Sequence, residues 1–549
     1  MKNYTNYKKL YDWKKPTNRS WPNNEIKTAP IWCSVDLRDG NQALPNPMTL
    51  EEKVEFFDYL VSIGFKEIEI GFPAASETEY EFTRYLIENN KIPDDVIIQV
   101  LTQSREEIID KTFKALEGVK NAIVHLYNST SKIQREVVFN KDKESIKKIA
   151  TDGAKLMNKY IEKYPKTNWY FEYSPESFST TEVDYAIEVV NSVIDIWKDK
   201  INNKIIINLP ATIECSMPNV FADIVEYVGE NINNRENVII SIHSHNDRGT
   251  GVATSEMSLL AGADRIEGAL FGNGERTGNA DILNIAMNMY VLGVDPKLDF
   301  SNINKAKEVY ERCTKMSVSP RHPYAGELVF TAFSGSHQDA ISKGLKSIKE
   351  KKKKYWEVPY LPINPKDVGR EYEPIIRINS QSGKGGVAYI LESNYGYEIP
   401  KDMRKEVGYF IKDVSDKKHR ELTPEEIYKV FIKEYENRSD YLKVVAYSVV
   451  NNEVEITFKK GKKEETHKAI GKGVIDATIK ILKDMGYKFE FINYYQESLE
   501  NDKEKSDAIT YINISNKKNI WAIGRDSDVV KSSLIGIISA VNKLIMEEN

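Results

Sequence analysis

Cysteine and histidine are both scarce in this sequence, which has three cysteines and seven histidines in 549 residues. The cysteines, Cys33, Cys215 and Cys313, are widely spaced and odd in number. This pattern argues against a disulfide framework and favours a reducing cytoplasm. No apolar run approaches the roughly 18 residues of a membrane span. Residues 1–7 are polar, so we expect neither a membrane anchor nor a secretory signal peptide.

The sequence also lacks a strong excess of charge of either sign. Its formal net charge is −5, which gives no reason to expect general nucleic-acid binding. Hydrophobic residues make up 41% and charged residues 29%, as is typical of a soluble globular protein. A chain of this length exceeds what a single core can hold, so we expect about two to four domains.

Short apolar runs alternate with amphipathic helical stretches over the first 300 residues. The runs that read as strands are 31–37, 67–71, 96–101, 122–126, 169–173, 205–209, 238–243 and 265–269. Helical stretches such as 49–63 and 143–164 separate them, and Thr49 with Glu52 and Ser104 with Glu107 resemble capping boxes. Eight strand–helix units in about 270 residues predict an α/β fold, a (β/α)8 TIM barrel. Doubly wound sheets alternate in the same way but usually have about five to seven strands.

The remaining segments differ in character from the barrel. Residues 1–28 are polar and predict an N-terminal arm, with the barrel over 29–325. Residues 326–427 predict a mostly helical connector that contains a lysine-rich and a proline-rich stretch. Residues 428–549 alternate as strands and then read as a helix, twice over. This repeat predicts a separate α+β domain of two βββα units.

Two of the seven histidines, His243 and His245, lie two residues apart at the end of a predicted strand. Side chains at that spacing share one face of a strand, and imidazole is a common metal ligand. Asp39 follows the first predicted strand, and strand ends of a barrel meet at one rim. Although a pair of histidines on a strand is often structural, these three residues together favour a site for Mg2+, Mn2+ or Zn2+. Asn279 offers a further oxygen ligand.

Such a site suits a 2-oxo acid, whose keto oxygen and carboxylate can chelate one ion while the metal polarises the ketone. Arg38 can stabilise negative charge on the keto oxygen, and Thr212 can hold the carboxylate. The glycine-rich turn at Gly272 and Gly274 is typical of phosphate contacts, although an ordinary tight loop has the same composition. His337 lies near a helix start in the connector, where an isolated histidine is usually structural.

Two motifs resemble the signatures of the 2-isopropylmalate and homocitrate synthases, which are metal-dependent Claisen-condensing barrels. They are the segment 37–42, Leu-Arg-Asp-Gly-Asn-Gln, and the segment 242–249, Ile-His-Ser-His-Asn-Asp-Arg-Gly. Further segments resemble the long-form 2-isopropylmalate synthases, so the likeness extends over nearly the whole chain. These segments are 171–177, 208–214, 272–279, 336–339 and 379–386.

The resemblance implies condensation of acetyl-CoA with 3-methyl-2-oxobutanoate and water to give (2S)-2-isopropylmalate and CoA, the first committed step of leucine biosynthesis. It implies a divalent metal on Asp39, His243 and His245, and an electrophilic role for Arg38. It also implies a homodimer and feedback inhibition by leucine bound to the C-terminal domain 428–549. Neither nucleic acid nor membrane is implied as a partner.

The resemblance also assigns roles residue by residue. The implied catalytic residues are Arg38, Glu176, Glu275, His337 and Tyr372, with His337 and Tyr372 acting in the partner's active site. The implied substrate-binding residues are His125, Ser174, Asn208 and Thr212, and Leu101 is a further candidate because an isopropyl group needs an apolar wall. Gly272 and Gly274 are candidates for acetyl-CoA contacts, and Gly471, Gly473, Asp476 and Ala477 for the regulatory turn. The general base is either His337, oriented by Glu275, or Glu176.

Two other functions remain open at this point. A citramalate synthase, with pyruvate as acceptor, or a homocitrate synthase would share the metal motifs. An apolar wall such as Leu101 suits an isopropyl group, whereas homocitrate synthesis needs a cation for a distal carboxylate. One methylene changes discrimination by only about 1–3 kcal/mol, so citramalate synthase is retained as the alternative. A non-catalytic amino-acid sensor on a degenerate barrel is disfavoured by the intact set of acid–base candidates.

Overall fold

The structure, a computed structural model, describes residues 13–16, 18–332, 334–352, 354–372, 384–418, 422–502, 505–516 and 518–548. Residues 1–12 and 17 of the predicted arm, and residues 379–383 of one family motif, lie outside the described residues. The chain forms two compact units. The first is Met1–Val329 with Ile363–Glu371, and the second is Phe330–Pro362 with Tyr372–Asn549.

The first unit contains a closed barrel of eight parallel strands in sequence order, which confirms the predicted TIM barrel. The strands are β1 Ile31–Ser34, β2 Glu67–Gly71, β3 Ile97–Gln103, β4 Asn121–Ser129, β5 Asn168–Glu176, β6 Ile205–Ala211, β7 Val238–Ser244 and β8 Arg265–Gly268. Pairing of β1 with β8, from Ile31 opposite Arg265 to Ser34 opposite Gly268, closes the barrel. The expected first strand, 31–37, is too long: β1 ends at Ser34, and Asp36–Gly40 forms a helical turn.

Helices follow the strands around the barrel. They are α1 Leu50–Ser62, α2 Glu77–Glu88, α3 Glu106–Ala115, α4 Lys143–Lys163, α5 Val183–Trp197, α6 Pro218–Asn231, α7 Gly251–Leu260, α8 Ile282–Val291 and α9 Ile303–Thr314. The capping box of Thr49 and Glu52 is confirmed. The one expected at Ser104 is wrong, because Arg105 is the N-cap and makes no side-chain cap. The Ser104 hydroxyl instead donates to the carbonyl of Ile149.

Two segments outside the strand–helix repeat pack within the first unit. Trp21 is buried and its indole N–H donates to Asp223 on α6 at 2.8 Å, so the described part of the arm is fixed to that helix. The segment Ile363–Glu371 returns to the barrel after an excursion through the second unit. There the guanidinium of Arg370 donates to the carbonyl of Gly326 at 2.7 Å.

The second unit begins with helices and ends with two small antiparallel sheets. Its helices are α10 Gly335–Lys351, α11 Lys384–Tyr395, α12 Arg404–Lys418 and α13 Pro424–Tyr435. Strands β9 Lys443–Val450, β10 Glu453–Lys460 and β11 Lys463–Ile470 precede α14 Val474–Asp484. Strands β12 Glu490–Asp502, β13 Lys505–Asn516 and β14 Lys518–Asp526 precede α15 Val529–Glu548. The prediction of two βββα units is confirmed.

Among the described residues, one helix is long and apolar enough to cross a membrane by length and composition alone. It is Val529–Glu547, most of which is buried inside the protein. In this structure it is a core helix, since Leu534, Ile537 and Val541 are buried in one cluster with Ile512 of β13 and Ile481 of α14. Lys531 and Lys543 interrupt the apolar residues of this helix, so the sequence contains no continuous apolar run of that length here.

Candidate metal centre and active site

The polar residues that follow the strands gather at the carboxyl rim of the barrel. They line a cavity of about 260 Å3. Its walls include Arg38, Asp39, Leu101, His125, Ser174, Glu176, Asn208, Thr212, His243, His245 and Glu275, all expected from the sequence, together with Gln42, Tyr127, Pro210 and Arg276. The parallel strand order explains this convergence, because every strand delivers its last residues to the same end.

Asp39, His243 and His245 present their ligand atoms to one another. Nε2 of His243 lies 3.6 Å, and Nε2 of His245 lies 3.8 Å, from Oδ2 of Asp39. All three ligand atoms lie within 4.8 Å of one another, as expected for groups that share one ion through bonds of about 2 Å. Nδ1 of His243 lies 2.9 Å from Glu267. Since a carboxylate only accepts, Nδ1 carries the proton there and Nε2 is left to coordinate.

Asn279, which does not itself line the cavity, is hydrogen-bonded to Asp39. Its side-chain N–H donates to Oδ2 of Asp39 at 2.7 Å and to the carbonyl of Asn273 at 2.8 Å. Its Oδ1 is buried and has no hydrogen-bond partner in the described part of the chain. A buried acceptor of that kind is costly unless something satisfies it, and a cation would do so. The residues present therefore fit a divalent metal, and Asn279 is placed beside its ligands.

The electrostatics of the three groups differ. Burial raises the pKa of Asp39, but Arg38 and the two imidazoles more than offset this and hold it well below its ordinary value. Burial lowers the pKa of His243, yet hydrogen bonds to Asp39 and Glu267 raise it to about 9. Burial and the neighbouring His243 lower the pKa of His245 to about 4. The two imidazoles therefore take up protons at very different pH values.

A second group of His125, Glu172 and Glu267 meets the same spacing deeper in the barrel. The guanidinium of Arg265 lies among these carboxylates, 2.7 Å from Glu267 and 3.4 Å from Glu172. A fixed positive charge therefore already occupies the place that a cation would take. This group is better described as a buried ion-pair network than as a second metal centre.

The network below the site contains the functional residues that the sequence analysis missed. Glu69 of β2 is fully buried and accepts from Nε of Arg38 at 2.5 Å, while NH1 of Arg38 donates to Asp39 at 3.0 Å. Glu267 orients His243, and Gln99 donates to both Glu69 and Glu267, at 3.1 and 3.0 Å. The sequence does contain a signal for these residues. Glu67 and Glu69 in β2, and Arg265 and Glu267 in β8, are charged residues two positions apart in a strand, the same spacing as the histidine pair.

The opposite wall carries the hydroxyl and amide groups expected to bind the oxo acid. Oγ1 of Thr212 accepts from the backbone N–H of Ser177 at 2.9 Å, which leaves its own proton to donate to a ligand. Oγ of Ser174 accepts from Asn208 at 2.9 Å and lies 2.7 Å from Nε2 of His125. Leu101, only 8% exposed, supplies the apolar surface.

Two carboxylates reach the mouth of the cavity. Glu176 accepts a hydrogen bond from the hydroxyl of Ser129, and Glu275 lies 3.3 Å from the amide nitrogen of Gln42. The loop that contains Glu275 is tight, since a Cβ on Gly274 would overlap the side-chain amide of Asn279. Gly274 is therefore required for the close packing of Asn279. Acetyl-CoA contacts at Gly272 and Gly274 stay a prediction.

Known proteins with similar sequences match this chain over nearly its whole length. The 2-isopropylmalate synthase of Acetoanaerobium sticklandii is 55% identical over 99% of this chain and 98% of its own length. That of Clostridium acetobutylicum is 55% identical over 98% of each chain. That of Helicobacter hepaticus is 53% identical over 99% of this chain and 100% of its own. The chain belongs to the 2-isopropylmalate synthase family.

Three family models match successive parts of this 2-isopropylmalate synthase family member. Residues 29–309 match the HMGL-like model, and residues 327–392 match the post-catalytic domain-like model of alpha-isopropylmalate synthase. Residues 421–545 match the LeuA allosteric (dimerisation) domain. The four-part division expected from the sequence stays a prediction at its boundaries.

The residues that the 2-isopropylmalate synthase resemblance assigns to the connector and the tail lie in the second unit. His337 stacks on Tyr360, with ring centroids 3.9 Å apart, and Tyr372 is half-buried. Their roles in catalysis, and the orientation of His337 by Glu275, stay predictions.

The regulatory turn expected in residues 428–549 is a compact structure. A Cβ on Gly471 would overlap the backbone of Ala477, and Asp476 accepts from the N–H of Lys472 at 2.8 Å. Gly473 precedes the first residue of α14. The glycine and the aspartate thus fix how the chain enters α14, and a regulatory role for this turn stays a prediction.

Proposed function

We propose that this protein condenses acetyl-CoA with 3-methyl-2-oxobutanoate and water to give (2S)-2-isopropylmalate and CoA, the reaction that opens leucine biosynthesis. The observation that carries the proposal is the convergence of Asp39, His243 and His245 within 4.8 Å at the barrel rim. The names and high identities of the relatives favour this activity over the citramalate alternative.

Asp39, His243 and His245, with Asn279 beside them, would hold the divalent metal, which supplies Lewis-acid polarisation of the ketone when it is bound. Mg2+, Mn2+ and Zn2+ are all compatible with this donor set. Arg38 lies next to Asp39 and is held by Glu69. Its guanidinium would donate to the keto oxygen and stabilise the negative charge that develops there.

The hydroxyl of Thr212 would donate to the carboxylate of the oxo acid, since its acceptor side is already used by Ser177. The side chain of the oxo acid would then lie against Leu101, which is buried in the cavity wall. An isopropyl group gains from apolar contact at this position. A distal carboxylate would be poorly solvated there, which disfavours 2-oxoglutarate.

The difficult step is removal of a proton from the methyl group of acetyl-CoA. A positioned base takes the proton, the resulting enolate carbon attacks the keto carbon, and the new alkoxide is held by Arg38 until it is protonated. Water then hydrolyses the thioester and releases CoA. The base is His337 supplied by a second copy and oriented by Glu275, or Glu176 from the same barrel. Deuterium exchange at the acetyl methyl group can distinguish the two candidates. The base is the residue whose replacement, His337→Gln or Glu176→Gln, blocks this exchange.

Regulation and assembly belong to the same proposal. The match of residues 421–545 to an allosteric and dimerisation domain supports a homodimer in which His337 and Tyr372 serve the partner's active site. It also supports leucine as the effector bound by the tail. None of the three cysteines, all of which are described, forms a disulfide, which suits a cytoplasmic enzyme.

The test is CoA release with 3-methyl-2-oxobutanoate, pyruvate and 2-oxoglutarate, each with Mg2+, Mn2+ and Zn2+ added to metal-stripped protein. We expect the highest kcat/KM with 3-methyl-2-oxobutanoate. A preference for pyruvate would establish the citramalate alternative, and a preference for 2-oxoglutarate would refute the proposal. Leucine binding without turnover of any oxo acid would favour the sensor.

A further inference from the structure

The loops after β6, β7 and β8 are joined by one exposed arginine. Nε and NH2 of Arg276 lie 2.7 and 3.2 Å from the two carboxylate oxygens of Asp247. NH2 also donates to the backbone carbonyl of Thr212 at 2.6 Å. The guanidinium therefore bridges the loop that carries the expected carboxylate site and the loop that carries His245.

The partners of Arg276 are themselves fixed. Asp247 accepts from the backbone N–H of Glu214 at 2.9 Å. Glu214, only 5% exposed, accepts in return from the backbone N–H of Arg248 at 2.7 Å and from the hydroxyl of Thr250. The β6 and β7 loops are thus already tied at their outer ends. Arg276 adds the tie at the end that faces the cavity, where it forms part of the lining.

The backbone at Arg276 is unusual. Its φ is +57°, in the left-handed region that non-glycine residues occupy rarely and at some energetic cost. Glycine would adopt this conformation without strain, and the same loop contains glycine at 272, 274 and 278. The guanidinium of Arg276 thus makes its hydrogen bonds to Asp247 and Thr212 from a strained backbone position.

Thr212 is held on two sides as a result. Its hydroxyl oxygen accepts from Ser177, which also has a left-handed φ of +59°, and its carbonyl accepts from Arg276. We propose that Arg276 is a positioning residue that fixes Thr212 against the His245 loop, and so sets the separation between the oxo-acid carboxylate site and the metal site. The inference rests on the proposed function in that Thr212 binds the carboxylate.

Two other roles for Arg276 make different predictions. A direct contact with an anionic group of acetyl-CoA would affect the KM of acetyl-CoA, because the side chain is 39% exposed. A role confined to the metal loop would affect metal binding, because Asp247 follows His245 by two residues. If Arg276 positions Thr212, its replacement should leave the KM of acetyl-CoA and the metal affinity nearly unchanged. It should raise the KM of the oxo acid and change kcat less.

The chain offers a matched control at the other end of the barrel. Arg235 likewise donates to an aspartate, Asp264, at 2.9 Å and to backbone carbonyls of Val238 and Gly262 at 2.7 and 2.9 Å. Its side chain is 33% exposed, close to the 39% of Arg276. It precedes β7 instead of following it, so it lies away from the cavity. Arg235→Gln removes the same kinds of bond with no route to Thr212.

The experiment measures kcat and KM for both substrates in the full-length wild type, Arg276→Gln, Arg276→Lys and Arg235→Gln, with Mn2+ affinity by calorimetry. For Arg276→Gln we expect the KM of the oxo acid to rise by about tenfold or more, the worth of one charge-assisted hydrogen bond. Lysine retains the charge but lacks the planar fork with which Arg276 meets Asp247 and the carbonyl of Thr212, so Arg276→Lys should give a smaller rise. The KM of acetyl-CoA, the Mn2+ affinity and all Arg235→Gln values should stay within about twofold of wild type.

Several outcomes would overturn the inference. They are an unchanged oxo-acid KM in both Arg276 variants, a rise confined to acetyl-CoA, and a loss of Mn2+ affinity equal to the loss of oxo-acid binding. Arg276→Lys retains the charge and serves if the glutamine variant does not fold. Failure of the proposed function is distinguishable, because it appears in the wild type as turnover of a different oxo acid. The KM of that acid then reports on Arg276 in the same way.

Discussion

Metal binding should displace one proton from this site at neutral pH, and that proton should come from His243. Its pKa is raised to about 9 by its hydrogen bonds to Asp39 and Glu267, which outweigh burial, whereas that of His245 is lowered to about 4. In the metal-free protein at pH 7, His243 is thus protonated and His245 is neutral. A coordinating imidazole must be neutral, so each ion bound releases about one proton.

The pH dependence follows with a definite sign. Lowering the pH from about 8 to about 5 weakens metal binding by about tenfold per unit, since one proton competes with the ion throughout that range. Two ordinary imidazoles with a pKa near 6.5 would instead release about half a proton at pH 7 and about two at pH 5. The two descriptions differ most clearly in the number of protons released.

The assay is calorimetric titration of Mn2+ into metal-stripped protein at pH 7, in buffers of different ionisation enthalpy. The slope of the observed enthalpy against the buffer enthalpy gives the number of protons released. Glu267→Gln removes the charge that sustains the proton on His243, so this variant should release clearly less than one. A value near one half in the wild type, or no change in the variant, would refute the reasoning.

Three further outcomes are expected. His243→Ala should abolish metal-dependent CoA release while circular dichroism stays that of the wild type, and activity at ordinary metal levels would contradict its role as a ligand. Burial lowers the pKa of His322, but its hydrogen bond to Asp281 outweighs this and raises it; the stabilisation is therefore fully present below about pH 6.5 and is lost as the pH rises through the raised value. His322→Gln should accordingly lower Tm more at pH 6 than at pH 9, and a difference that is constant with pH would argue against the ion pair. Gly471→Ala should reduce inhibition by leucine without reducing activity in its absence, because a Cβ there displaces Ala477 at the start of α14; full inhibition would show that the turn is not part of the effector site.

The barrel and the expected metal ligands could both be predicted from the pattern of strands. Eight apolar runs of strand length indicate a closed parallel barrel, and such a barrel brings the carboxyl ends of all its strands to one rim. Asp39 and His243 are more than 200 residues apart in sequence yet have side-chain atoms 3.6 Å apart. Only the topology connects them.

The residues beneath the site could not be predicted in the same way. Glu67 and Glu69 alternate with isoleucines in β2, a pattern that usually indicates a strand with one face in water. In the barrel both faces are covered, and Glu69 is buried against Arg38. The cost of burying such a charge is met by partners on other strands, which local sequence does not reveal.

The prediction of a capping box at Ser104 is also wrong. It rested only on the three-residue spacing between Ser104 and Glu107. The hydroxyl instead bonds to the carbonyl of Ile149 on α4. The Ser104 hydroxyl can form either a helix cap or a tertiary hydrogen bond, and the two have similar energies. The spacing of residues at the helix start does not reveal that the carbonyl of Ile149 is within reach.

Because Ile363–Glu371 belongs to the barrel unit, the polypeptide crosses from one unit to the other three times. No single cleavage can release them as intact modules, and a fragment that stopped at the end of the barrel repeat would leave the carbonyl of Gly326 without the guanidinium of Arg370. On the ribosome, the barrel half obtains its last strip of chain only after α10 has been made. The barrel unit and the C-terminal unit are therefore folded as an interleaved pair, and any single joint used to exchange tails between such enzymes divides one of the two units.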